Sequence, residues 1–217
     1  MDAFLGELWT FRAALATGLL LTLAASLAAV LLGTLLGVII GVGLTYAPLL
    51  VRLALRAYVD IVRGTPVLVI ILSAYYLPSV LGIEIDPFEA GVLALALFCG
   101  AHVGEIVRGG LRSIPAGQTE AARSIGLTMP RILLYVLAPQ ALRHVMPTWV
   151  NVAVEIVKSS TLLSIIGVGE LMLKTQEIVG RNFMTLQFYA TVGAVYVAIN
   201  YAIQQGGRLA ERRFRSR

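Results

Sequence analysis

Charge is what this 217-residue sequence most conspicuously lacks: Asp, Glu, Lys and Arg make up 13% of it, against 58% hydrophobic residues. A soluble domain carries about twice that charged fraction. With a mean hydropathy of +0.85, the chain is read as an integral membrane protein. Cysteine is almost missing as well. The single Cys99, inside an apolar run beside Gly100, excludes a disulfide framework and any thiolate metal cluster, leaving a small packing residue. Histidine occurs twice, and although His102 and Glu105 share a helical face, two residues make no metal site, so His102 is expected to bond to its own helix. No G-x-x-x-x-G-K-[ST] loop is present to cradle nucleotide phosphates, and no Ser/His/Asp or Cys/His set suggests an enzyme. Nor is there a nucleic-acid module: the excess basic residues cluster between and after apolar runs, where they address lipid headgroups and topology.

What is present is a succession of apolar runs, giving an all-α, polytopic membrane protein with one transmembrane domain over residues 1–217. No charged residue interrupts Ala13 to Val51, and since roughly 20 apolar residues cross a bilayer, a long first span is placed at 13–44, ended by Thr45 to Pro48. Further spans are expected at 56–81, 88–107, 148–166 and 183–206, for about five in all. The first run is too long for a signal-peptide core, so it is expected to be retained as a span. Phe4, Trp9 and Phe11 ahead of it suggest an interfacial lead-in helix.

Basic residues orient the spans. Arg52, Arg56 and Arg63 lie between the first and second, Arg108, Arg112, Arg123, Arg131 and Arg143 between the third and fourth, and Arg208, Arg212, Arg213, Arg215 and Arg217 after the fifth. The opposite side receives only Arg12, Lys174 and Arg181, with Asp2, Glu7, Glu84, Asp86, Glu170 and Glu177. Positive charge favours the cytoplasmic side, so the N-terminus is expected outside and the C-terminus inside. Gly33, Gly37 and Gly41 repeat every four residues, as do Gly100 and Gly104, a spacing that lets helix backbones approach closely without naming the partner.

The fourth span carries Asn151, Glu155, Lys158 and Ser159 at helical spacings, one stripe that should face protein or a watery path. Two roles remain open: Glu155 and Lys158 neutralise one another as an i,i+3 pair, or Glu155 binds a cationic group of a substrate while Asn151 and Ser159 supply hydrogen bonds. Asp60 and Arg63, one turn apart before Pro66, form a candidate gate or a headgroup anchor.

Between the third and fourth spans stands "AGQTEAARSIGLTMPRIL", Ala116 to Leu133. Ser113 and Pro115 read as a helix start, Gly126 as its stop, and Thr128 with Pro130 as a second start, so that loop 113–138 is two short helices around a glycine turn. Ala121, Ala122 and Ile125 give it a small apolar face, with Glu120 and Arg123 free for charge contacts. Such a unit suits docking in a groove of another protein, or packing against its own helix ends.

"EAARSIG" followed by "PRILLYVLAPQAL" resembles the EAA loop of membrane subunits of binding-protein-dependent ABC importers. "RGTP" at Arg63 to Pro66, "GEIVRGGLRSIPAGQ" at Gly104 to Gln118 and "KSSTLLSIIGVGEL" at Lys158 to Leu171 extend the resemblance, over nearly the whole chain, to the polar amino acid (histidine, glutamine and arginine) permease family. The resemblance implies an ABC import permease fold in a bacterial cytoplasmic (inner) membrane, pairing with a second, identical or homologous permease subunit. It also implies an extracytoplasmic solute-binding protein, and separate ATPase subunits that carry ATP and magnesium, with no cofactor on this chain. Glu120, Ala121, Ala122, Arg123 and Gly126 would couple to those ATPases. Related permeases usually keep a lysine at Lys158 and vary more at Glu155, which would let Glu155 tune the choice of amino acid, favouring basic or neutral polar ones.

Overall fold

The computed structural model describes residues 2–215. Arg217 lies outside them, and so do the side chains of Asp2, Arg212, Arg213 and Arg215. All of the regular elements described are helical: α1 (Asp2–Thr10), α2 (Arg12–Tyr46), α3 (Leu49–Gly64), α4 (Val67–Val80), α5 (Pro87–Arg112), α6 (Ala116–Ser124), α7 (Met129–Ile132), α8 (Ala138–Ser159), α9 (Leu171–Asn182) and α10 (Thr185–Arg215). Four helical stretches among the described residues are long and apolar enough to cross a membrane, Arg12–Tyr46, Pro87–Arg112, Met129–Ile166 and Thr185–Glu211, or five if the bent pair α3–α4 counts as one.

That pair corrects the expected second span at 56–81. Thr65, which precedes Pro66, is held extended at φ −100° and ψ 133°, because the proline ring crowds an α conformation in the residue before it. The chain therefore turns by 109° between α3 and α4 instead of passing straight through. The fourth span also differs from the expected 148–166. Helical structure runs from Met129 through a π-helical turn, Leu133–Leu137, into α8 and on through a 3-10 segment, Ser160–Ile166. The second helix of the loop is thus the beginning of a span and not a separate short helix. Ser113 caps the end of α5, and Pro115 is the residue that precedes α6.

The two glycine ladders face each other. A Cβ added at Gly33, Gly37 or Gly41 would lie 2.5 to 2.6 Å from the Cβ of Cys99, Val103 or Val107, while Leu36 and Ile40 fill the notches at Gly100 and Gly104. The absent side chains let α2 and α5 meet backbone to backbone, and Ala25, Ala29, Leu95, Cys99 and Val103 are buried along the seam. Glu170, which sequence reading placed among the charges of the outer side, is wholly buried. It caps α9, accepting from the backbone N–H groups of Met172 and Leu173 at 2.9 Å, and also accepts from the hydroxyls of Tyr196 at 3.0 Å and Thr22 at 3.3 Å. One carboxyl thereby joins α2, α9 and α10. Lead-in helix α1 is tied to the same end, with Phe4 edge-on to Phe188 at 5.4 Å and Glu7 accepting from Asn182 at 3.2 Å.

Candidate functional site

A cleft of about 350 Å³ opens among three helices, lined by Arg63 of α3, by His102, Glu105 and Ile106 of α5, and by Thr148, Asn151, Val152 and Glu155 of α8. Each helix reaches it for a local reason. The break at Thr65 ends α3 about two turns after Arg56 and leaves Arg63 at the rim, where a straight span would have carried on past it. On α8, Thr148, Asn151, Val152 and Glu155 follow the three-and-four spacing of one helical face. On α5, His102 and Glu105 are one turn apart, and the Nδ1–H of His102 donates to the Phe98 carbonyl at 3.0 Å. Since a carbonyl only accepts, that bond fixes the proton on Nδ1.

Charge in the cleft is arranged in two groups. Glu105 is clamped by Arg108 on its own helix and by Arg56 of α3 at 3.3 Å, which holds α3 against α5. Glu155 pairs with Lys158 at 2.9 Å, and both are about half exposed, 52% and 55%, in the single chain. A pair so open gains little from its Coulomb attraction and can exchange partners at small cost.

Of the residues expected in the substrate stripe, Asn151 and Glu155 line the cleft. Lys158 touches it only through Glu155. Ser159 does not belong to it: at 4% exposure it points into the protein, because it follows Lys158 by one residue and so turns by about 100° toward the core. The candidate gate between Asp60 and Arg63 is not formed. Asp60 instead approaches Arg56, at 3.8 Å and one turn earlier, and Arg63 is left to the cleft. Sequence reasoning missed Glu105 as a wall residue and anchor of two arginines. Its signal was the "GEIVRGG" run, a carboxylate three residues before an arginine on an otherwise apolar helix.

The loop unit is positioned independently of the cleft. Helix α6 ends in paired bonds, Leu127 N–H to the Ala122 carbonyl at 3.1 Å and Gly126 N–H to the Arg123 carbonyl at 2.9 Å, with Gly126 at φ +80°. This is a Schellman ending, which needs the left-handed conformation that glycine adopts freely. Thr128 takes the extended conformation of a helix start, yet its hydroxyl makes no capping bond. Glu120, Ala121 and Arg123 are exposed on α6, while Ala122 is buried against the body of the protein.

Residues 29–216 match the family described as binding-protein-dependent transport system inner membrane component. The chain belongs to that family. Among curated relatives of this transport-component family, it is 37% identical to the L-cystine transport system permease protein TcyB of Bacillus subtilis (strain 168), over 72% of this chain and 67% of that protein. It is 34% identical to the glutamine transport system permease protein GlnP of Escherichia coli (strain K12), over 73% of each. A crystal structure described as an amino acid ABC transporter with histidines superposes with a TM-score of 0.87 at 32% identity, covering 95% of this chain and 96% of that one. An inward-facing MetNI methionine ABC transporter shares the fold, with a TM-score of 0.81 at 22% identity.

Proposed function

We propose that this transport-system component is the permease subunit of an ABC importer that carries a polar amino acid across the cytoplasmic membrane, with its N-terminus outside and its C-terminus inside. The carrying observation is the cleft itself: a guanidinium with no ion-pair partner among the described residues, Arg63, and a loosely paired carboxylate, Glu155, stand with Asn151 in the wall of one small cavity. A zwitterion matches that wall, its carboxylate toward Arg63 and its ammonium toward Glu155, with Asn151 hydrogen-bonding and Lys158 holding Glu155 when the site is vacant. Similarity to cystine and glutamine permeases, and to an amino acid transporter of known structure, supports the same reading. Glu105, itself in the cleft wall, and its two arginines set the spacing between α3 and α5, and so position Arg63.

The chain carries no reaction on the solute. Energy enters from separate ATPase subunits docked on α6, where Glu120, Ala121, Arg123 and the turn at Gly126 meet the partner. A second permease subunit completes the path, and an extracytoplasmic solute-binding protein delivers the amino acid. Because α7 continues without a break through the π turn into α8, displacement of α6 is transmitted along the same rod that bears Asn151 and Glu155.

Reconstitution with the partner subunits in proteoliposomes tests both halves. Glu155→Gln is expected to change the ranking of amino acids that stimulate ATP hydrolysis, with assembly intact. Glu120→Lys, or Gly126→Val, is expected to leave ATP hydrolysis but abolish uptake driven by it. Unchanged ranking with Glu155→Gln would remove the substrate role, and normal uptake with both loop variants would remove the docking role.

A further inference from the structure

A second cavity of about 690 Å³ lies between α2, α5 and the start of α8, on a different face of α8 from the cleft. Its walls are apolar, with Val38 and Val42 on one side, Val107 and Leu111 on another and Leu134 and Met146 on the third. Only two wall groups away from the loop end are polar, and they satisfy each other: the indole Nε1–H of Trp149 donates to the Thr34 hydroxyl at 2.8 Å. An apolar space of this kind holds hydrocarbon and not ordered water. At its loop end the wall itself stays apolar, but two arginines neighbour it in sequence. Arg131 lies between the wall residues Pro130 and Leu133, and Arg112 directly follows Leu111. Both arginines are exposed, and neither has a carboxylate within ion-pair distance among the described residues.

We propose that this groove binds one acyl chain of an anionic phospholipid, whose phosphate sits on Arg112 and Arg131. An apolar slot with two exposed arginines beside its wall residues at one end matches the polarity of such a lipid, from headgroup to chain end. Basic pockets between membrane helices at one bilayer surface recognise anionic headgroups on the same physical grounds. A helix of a second permease subunit is a poorer match, because it would leave both guanidiniums without anions. With the orientation proposed above, the arginine end faces the inner leaflet; the binding itself does not depend on transport, so it is tested separately.

The experiment places the photoreactive residue p-benzoylphenylalanine at Leu134 in the assembled permease and ATPase complex, in nanodiscs of equal phosphatidylglycerol and phosphatidylcholine. After irradiation, intact mass identifies what has been captured. The expected result is a phosphatidylglycerol adduct favoured by about fivefold or more, since each arginine near an anionic headgroup favours it by about that factor. Arg112→Gln with Arg131→Gln should bring the two lipids to equal yield, and the same probe at Val197, 69% exposed on α10, should show no preference. Capture of another protein subunit at Leu134, equal yields of the two lipids there, or the same preference at Val197 would overturn the proposal.

Discussion

Replacing Gly41 by alanine should separate α2 from α5, and the size of the effect follows from three distances. The new methyl would sit 2.6 Å from Val107 Cβ, 2.7 Å from Val107 Cγ1 and 2.7 Å from the Gly104 carbonyl oxygen. Carbon to carbonyl oxygen contacts between packed helices lie at about 3.3 to 3.6 Å, so the backbones must part by roughly half an ångström or more. A rotamer change cannot relieve a clash with a carbonyl. The gap also loosens the neighbouring contacts at Gly37 and Gly33, because all three glycines sit in the same row. Overpacking of this kind costs about 1 to 3 kcal/mol. Alanine's better helix propensity, about 1 kcal/mol, works the other way and hides part of the cost. Gly193→Ala supplies the matching reference, since it lies in α10 with nothing within 4 Å of the added methyl. The propensity gain is then common to both variants, and their difference isolates the seam. Detergent-solubilised protein titrated with sodium dodecyl sulfate should show Gly41→Ala less stable than Gly193→Ala by about 1 to 3 kcal/mol. Adding Val107→Ala should restore only part of the loss, because it removes the Cγ1 contact and leaves the Cβ and carbonyl contacts. Equal stabilities for the two glycine variants would refute the claim that absent side chains hold this seam together.

Glu170, between the fourth and fifth spans, should make stability fall as pH rises. Burial holds its carboxyl above the usual carboxylate range, outweighing the hydrogen bonds from Met172, Leu173, Tyr196 and Thr22. The folded protein then keeps a proton that the unfolded chain releases, so stability is highest below the ordinary glutamate value of about 4.3 and declines as pH climbs through the raised one. Glu170→Gln should flatten that decline in unfolding midpoints measured across the range, and an unchanged slope would point to another group. Glu105→Gln should destabilise by about 1 to 3 kcal/mol, since it leaves Arg56 and Arg108 without their shared anion, and should lower apparent amino acid affinity through Arg63. Loss of stability with no change in affinity would mean that Arg63 is held by something other than this clamp. Gly126→Asn should couple better than Gly126→Ala in uptake assays, because the position has open space and a positive φ, making the backbone conformation and not crowding the constraint. Equal uptake by the two variants would dismiss the Schellman turn as the reason for glycine.

Membrane class and helical content are one-dimensional properties, set by runs of apolar residues long enough to cross a bilayer, and they were legible in the sequence. So was the stop at Gly126, because a left-handed helix ending restricts residue type locally. The paired glycine ladders announced a close contact but not with whom; only the folded chain put Gly33, Gly37 and Gly41 against Cys99, Val103 and Val107. Tertiary structure likewise decided what each charge meets. Asp60 pairs with Arg56 and not Arg63, Glu105 gathers arginines from two helices, Ser159 turns inward beside a stripe that faces the cleft, and Glu170 disappears into the interior as a helix cap. Sequence spacing fixes the angle of a side chain about its own axis, whereas its partner depends on how separate axes pack. The 109° break at Thr65 changed that packing more than any periodicity could show.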